Sequence, residues 1–392
     1  MTDTLASTPT GVTAPQGFRA AAVAAGLKTS GLLDLALVVN DGPKKAAAGT
    51  FTANRVKAAP VLWTQQVVRD GRVDAVVLNS GGANACTGAE GFQDTHATAE
   101  FAALALDVSA TDIAICSTGL IGERLPMNAV LTGVDEAVPL LSATGGDDAA
   151  RAIMTTDSVP KQSVVEGNGF TVGGMAKGAG MLAPGLATML CVVTTDADVD
   201  ADTLDRVLRS ATSRTFDRVD SDGCMSTNDT VLLLASGASG TQPSEDDLGQ
   251  AVLDVCADLA RQLVDDAEGA SKTISVQVIR AVSEQEATDV ARAVARSNLL
   301  KCALHGEDPN WGRVLAAVGT TDAVFEPQRL AVSLGGVWVC RDGAAAEDRS
   351  KVDLSGRLVP IVVDLGAGDA ESTVWTNDLT AAYVHENSAY ST

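Results

Sequence analysis

Apolar positions along the chain fall into two periodicities, and together they predict interleaved helices and strands. Leu204, Val207, Leu208 and Ala211 lie at i, i+3, i+4 and i+7 behind the polar start Asp202-Thr203, the spacing of an amphipathic helix. Leu248, Ala251, Val252, Val255 and Leu259 make a longer stripe, and Ala287, Val290, Ala291 and Val294 a third. Val73–Leu78 and Asp112–Cys116 are short apolar runs closed by Asn, Ser or Gly, which predicts buried strands. Thr273–Val278 alternates with period two, as a half-buried strand does. The elements follow no fixed repeat, which excludes a solenoid. The expectation is an α/β fold of layered, mixed or antiparallel sheets covered by helices. Residues 1–16 are polar, contain Pro9 and Pro15, and are expected to form a flexible arm. No Pro/Ser-rich linker divides the rest.

Composition narrows the function. The 392 residues carry 28 basic against 50 acidic side chains, a formal charge of −22, which argues against a nucleic-acid or anionic-membrane surface. The acids are dispersed, as in a solvated shell. Hydrophobic content of 46% marks a globular chain. Seven cysteines, an odd number without a CxxC pair, are expected to be reduced core thiols. With His96, His305 and His385 alone, a structural zinc is not expected. The N-terminus lacks the basic and apolar regions of a signal peptide, and the longest apolar stretch is broken by Pro184. A soluble, cytoplasmic protein is the expectation.

The run Lys177–Leu190 carries the strongest chemical signal. It sets Thr188 between a glycine-proline loop and the apolar, strand-like segment Met189–Val193. Threonine commonly just starts a strand. Its hydroxyl becomes a nucleophile when a base lies beside it, and a cut between Ala187 and Thr188 would turn the new α-amino group into that base. Other segments are weaker. The glycine-rich loop Leu78–Gly88 and the turn Cys116–Gly122 both follow strands, and Thr118 and Gly119 offer a hydroxyl and an N–H to an oxyanion or form an ordinary turn. Ile153–Asp157 is polar and reads either as a ligand loop or as a helix end. Lys177 is a point charge for a carboxylate or a solvated lysine. Asp265–Lys272 ends the long helix, with Gly269 suited to its C-cap; acids there oppose the helix dipole, so Glu268 is a candidate for a ligand amine. His305–Arg313 reads as a structured loop near a site. A phosphate loop is absent, since the lysine of Gly174–Gly178 is misplaced, and so is a G-x-S-x-G elbow.

Taken together, these segments resemble the glutamate N-acetyltransferase (ornithine acetyltransferase) family of arginine biosynthesis. The resemblance runs from Gly17-Phe-Arg-Ala-Ala21 and Gly26-Leu-Lys28 to Tyr383–Tyr390. Its most specific parts are the K-G-x-G-M-x2-P-x2-A-T-M-L core from Lys177 to Leu190 and the Asp308–Arg313 D-P-N-W-G-R motif. The resemblance implies self-cleavage between Ala187 and Thr188 into an α chain (1–187) and a β chain (188–392), which stay together in one intertwined fold, two of each assembling. It implies that Thr188 takes an acetyl group from N2-acetylornithine and passes it to glutamate by a ping-pong route. Thr118 and Gly119 are the implied oxyanion hole; Thr155, Lys177, Thr188, Glu268, Asn387 and Thr392 the implied substrate contacts, with Thr156 adjacent to Thr155. The implied fold is an α/β arrangement like that of self-cleaving aminopeptidases, of the N-terminal-nucleophile type. No cofactor is implied, and whether acetyl-CoA also serves as a donor stays open. A self-processing amidohydrolase or aminopeptidase, in which water replaces glutamate, is the competing enzyme reading. A non-catalytic binding protein is a third.

Overall fold

The computed structural model describes residues 10–183 and 189–389. Alternation of side chains along each strand builds it in layers. The first sheet holds β1 (Phe18–Val23), β2 (Leu35–Asn40), β4 (Ala75–Asn79) and β5 (Ile113–Ser117), in the order β1-β2-β4-β5. The second holds β3 (Ala46–Phe51), β6 (Lys161–Glu166), β7 (Thr171–Lys177), β8 (Leu190–Thr195) and β9 (Thr230–Ala235), in the order β3-β9-β8-β7-β6. In β8 and β9, Leu190, Val192, Leu232 and Leu234 face the first sheet, where they meet Val76, Leu78, Ala114 and Cys116. Cys191, Val193, Val231 and Leu233 face the helices Ala201–Arg214 and Glu245–Asp265. The far side of the first sheet packs on the helices Gly88–Leu106 and Met127–Ala137. The result is helices, sheet, sheet, helices, and it agrees with the expected α/β class.

A third sheet, β10 (Thr273–Ala281), β11 (Ala331–Leu334), β12 (Val337–Arg341), β13 (Ala344–Ala345), β14 (Leu358–Asp364) and β15 (Ala370–Asn377), has its own core under the helices Glu284–Ala295 and Trp311–Val318. Ser and Asp side chains cap the three helices read from the sequence: Asp200 accepts from Thr203 N at 2.7 Å, Ser244 from Asp247 N at 3.1 Å, and Ser283 from Glu286 N at 3.2 Å.

Register gathers the site. In the parallel pair β4/β5, Asn79 faces Ser117, so the loops that follow both strands leave at one edge. Leu190 faces Thr230 across the parallel pair β8/β9, and Lys177 faces Leu190 across the antiparallel pair β7/β8. The end of β7 and the starts of β8 and β9 therefore meet at one edge too. Asn228 joins the two edges: its Nδ2 donates to Ala83 O at 2.6 Å and to Ser117 O at 2.8 Å.

Two expectations fail here. The arm does not extend to residue 16: Gly11–Thr13 form a buried 3-10 turn, and Thr194 Oγ1 donates to Val12 O at 2.9 Å, because Val12 fills the space between the two sheets. Residues 1–9 lie outside the described residues. Gly269 is not the helix cap either. The helix stops at Asp265; Gly269 lies beyond it at φ +60°, where any Cβ would strike the backbone of Tyr383, so both the conformation and the close approach call for glycine. The acids at that helix end are paired, Asp265 with Arg261 at 2.9 Å and Asp266 with Lys161 at 2.6 Å, so the dipole conflict is met by neighbouring cations.

Candidate active site

One cavity of about 100 Å³ opens where these edges meet. Its walls include Thr118, Gly119, Thr155, Thr156, Lys177, Asn228, Glu268 and Asn387. Six of the residues expected from the sequence thus share one cavity: Thr118, Gly119, Thr155, Lys177, Glu268 and Asn387. Thr188, Ala187 and Thr392 lie outside the described residues.

Lys177 ends β7 and is 2% exposed. Burial lowers its pKa, opposed by the carboxylates of Asp157, Asp229 and Glu268. Its Nζ lies 3.5 Å from Thr118 Oγ1 and donates to it. Thr118 N donates to Asn79 O at 3.0 Å, which uses up that amide and leaves Thr118 its hydroxyl. No described residue accepts the N–H of Gly119. Gly119 has φ +127°, and an added Cβ would sit 2.6 Å from Gly82 N and 2.7 Å from Gly81 C. Only glycine lets the two loops pass so closely. Gly119→Ala is expected to lower stability by about 1–3 kcal/mol and, if Gly119 is the oxyanion donor that the resemblance implies, activity by roughly 10²-fold or more. Wild-type melting and turnover in that variant would remove the assignment.

A buried carboxylate organises the opposite wall. Asp157 Oδ2 accepts from Thr155 N at 2.9 Å, and Oδ1 accepts from Gly178 N at 2.7 Å and Lys161 Nζ at 2.7 Å. Lys161 is fully buried and also reaches Asp266 at 2.6 Å. Burial alone would raise Asp157, but Lys177 and Lys161 outweigh it and hold its pKa at about 2.

Glu268 follows the long helix. Its backbone N donates to Ala179 O at 3.0 Å, and Asn387 Nδ2 donates to its Oε2 at 2.9 Å. Gly180 makes room for it: a Cβ there would lie 2.6 Å from Glu268 Oε1. Asp229 holds the start of β8, accepting from Met189 N at 3.1 Å, while Thr230 N donates to Met189 O at 3.2 Å. Asp229 is wholly buried, and burial raises its pKa well above the usual carboxylate range. A buried cation, a hydroxyl, an N–H without an acceptor among the described residues and a paired carboxylate–amide thus surround one small space. Such a set can bind a carboxylate and stabilise an oxyanion.

The segment Ser226–Asp229 was passed over in the sequence. It is a polar run directly before the strand Thr230–Ala235, which by itself reads as an ordinary turn. His305–Arg313 joins the helices Asn298–His305 and Trp311–Val318 and does not line this cavity; it lies beside a second cavity, where His305 Nδ1 is 2.9 Å from the carboxylate of Asp378, a wall residue. The cysteines are free, but only Cys116, Cys191, Cys256 and Cys340 are buried, whereas Cys86, Cys224 and Cys302 are exposed in polar loops and on a helix surface. Among the described residues no cluster of His, Cys, Asp or Glu is arranged to hold a metal, and no helix is long and apolar enough to cross a membrane.

A family model, the ArgJ family, matches residues 19–392. The arginine biosynthesis bifunctional protein ArgJ of Streptomyces coelicolor is 66% identical over 380 residues, which cover 97% of this chain and 99% of that protein. The protein of the same name from Mycobacterium tuberculosis is 59% identical over 389 residues, covering 97% of this chain and 96% of its own length. Among solved structures, an ornithine acetyltransferase from Mycobacterium tuberculosis complexed with ornithine is 62% identical over 46% of this chain and 97% of that chain, with a TM-score of 0.45. The arginine biosynthesis bifunctional protein ArgJ from Bacillus halodurans is 32% identical over 50% of this chain and 97% of that one, with a TM-score of 0.48. Matched along nearly its whole length at such identity, the chain belongs to the ArgJ family.

Proposed function

We propose that this protein moves an acetyl group from N2-acetylornithine to glutamate, giving ornithine and N-acetylglutamate. The observation that carries the proposal is the convergence of Thr118, Gly119, Thr155, Lys177, Glu268 and Asn387 on one cavity at the edge where β8 begins. Family membership supports it, because the relatives bear the name of arginine biosynthesis enzymes.

In this reading the chain cuts itself between Ala187 and Thr188, and the freed α-amine of Thr188 serves as the base for its own hydroxyl. The hydroxyl attacks the acetyl carbonyl of acetylornithine, its proton passing through the amine to the departing α-nitrogen. Thr118 and Gly119 donate to the oxyanion of each tetrahedral intermediate. Lys177, with Thr155, holds the substrate carboxylate, and Glu268 with Asn387 and Thr392 holds the rest. Glutamate then attacks the acetyl-Thr188 ester by the reverse of these steps. Two α and two β chains form the working enzyme in the cytoplasm.

The test is acetylornithine consumption with and without glutamate. The proposal expects ornithine and N-acetylglutamate in equal amounts, and release that depends on glutamate. Steady ornithine release at the same rate without glutamate would favour the hydrolase reading and sink this one. Acetyl-CoA is examined as a donor in the same assay: glutamate-dependent release of its thiol adds the second activity.

A further inference from the structure

A second chamber, of about 250 Å³, adjoins the first, and Glu268 lines both. Its walls carry both signs of charge. Lys301, on the helix Asn298–His305 and 6% exposed, donates from Nζ to Ser221 O. Arg296 Nε pairs with Asp220 Oδ2 at 2.7 Å, and the other oxygen of Asp220, a residue 1% exposed, has no hydrogen-bond partner among the described residues. Asp222 accepts from Cys224 N at 3.0 Å through Oδ1. Arg296 and Asp220 balance each other, and the wall carboxylate of Asp378 is taken up by His305 and Ser271. That leaves Lys301, Asp222 and Glu268 as the charges to meet a ligand, Lys301 and Asp222 attracting each other while the chamber is empty. Burial pushes the pKa of Asp222 up and that of Lys301 down, and the attraction between the two opposes both shifts.

The two substrates of the proposed reaction share an α-carbon with its carboxylate and nitrogen, and differ at the far end. One ends in an ammonium, the other in a carboxylate. A chamber of one sign would take one end and repel the other. We infer that the second chamber is the side-chain subsite for both: Asp222 with Glu268 receives the ammonium of acetylornithine, and Lys301 receives the γ-carboxylate of glutamate. The first chamber, with Lys177 and the Thr118/Gly119 donors, then handles the common end. This inference rests on the reaction proposed above.

The test compares charged and uncharged side chains within each protein, so that loss of fold or of general activity cancels. Wild-type enzyme is first shown to transfer acetyl from acetylornithine to glutamate; failure there would sink the proposed reaction itself. Acceptors are then glutamate and its neutral isostere glutamine, and donors N2-acetylornithine and the uncharged N2-acetylnorleucine. Wild type is expected to prefer the charged partner at least about 10-fold in kcat/KM in both pairs, the value of one charge-assisted hydrogen bond. In Lys301→Met the glutamate-to-glutamine preference falls to within about 2-fold while the donor preference stays. In Asp222→Asn, which retains the acceptor for Cys224 N, the donor preference falls and the acceptor preference stays. Should Lys301→Met fail to fold, Asp222→Asn and the wild-type preferences still decide. Unchanged ratios in Asp222→Asn, equal loss of both ratios in either variant, or a wild type indifferent to side-chain charge would overturn the inference.

Discussion

Thr188→Ala is expected to leave the purified protein as one 39.9 kDa chain and to lower acetyl transfer by about 10⁴-fold or more, the scale on which removing a nucleophile acts. Both effects come from one missing hydroxyl. On the proposed mechanism, without it no ester would form with the Ala187 carbonyl, so no new amine would appear, and no acetyl group could be carried. Intact mass under denaturing conditions reads the first effect, and a glutamate-dependent assay the second. The start of the strand after residue 188 is anchored independently of that side chain: Met189 is held on both sides, by Asp229 and by Thr230. The variant is therefore expected to fold as wild type does. An uncut Thr188→Ala chain with full transfer activity would show that the nucleophile lies elsewhere.

The second large effect belongs to Asp157. Asp157→Ala leaves Lys161, fully buried, with Asp266 as its remaining carboxylate and releases the amides of Thr155 and Gly178. Breaking a buried pair in this way costs about 3 kcal/mol. A shift of the urea midpoint at fixed protein concentration measures it. Turnover should also fall, because Thr155 and the turn after Lys177 lose their common anchor. The pH dependence has a definite sign. The folded pKa of about 2 lies below the ordinary value of 3.8, so the native state favours the ionised form. The stabilisation is complete above about pH 4 and is lost as pH falls from there through about 2; its full size is about 2 kcal/mol. The gap in stability between wild type and Asp157→Asn should therefore shrink between pH 5.5 and pH 3. A gap that stays constant over that range would mean that the carboxylate's charge is not what the fold uses.

How far the sequence could be read depended on the range of the interactions. The helical stripes at Leu204–Ala211, Leu248–Leu259 and Ala287–Val294 were legible because a helix declares itself within a few turns, and all three appear with the Asp200, Ser244 and Ser283 caps. The strands at Ala75–Asn79 and Ile113–Ser117 were legible for the same local reason, to within a residue or two. The grouping of Thr118, Lys177 and Glu268 was not legible from spacing. They are 59 and 91 residues apart, and only strand register brings them to one edge; resemblance supplied what periodicity did not. Asp157 was visible as one acid in a polar turn, but its partners Lys161 and Asp266 come from different elements. Asn228 was missed altogether, since an asparagine before a strand reads as a turn until the loops it bridges are seen. Val12 was misread because proline and polar neighbours outweighed one valine, whose burial depends wholly on sheets formed far along the chain.

The order β3-β9-β8-β7-β6 has a kinetic corollary. Three of these strands precede residue 188 and two follow it, and β8 and β9 lie between β3 and β7. Were the peptide bond before Thr188 broken, neither fragment would hold the whole of this second sheet. Re-forming it from denaturant would become an encounter between two molecules, with a rate that rises with concentration, whereas the newborn chain closes the same sheet as a single molecule. Scission would thus turn an enzyme that assembled itself once, unimolecularly, into one that dilution makes slow to restore.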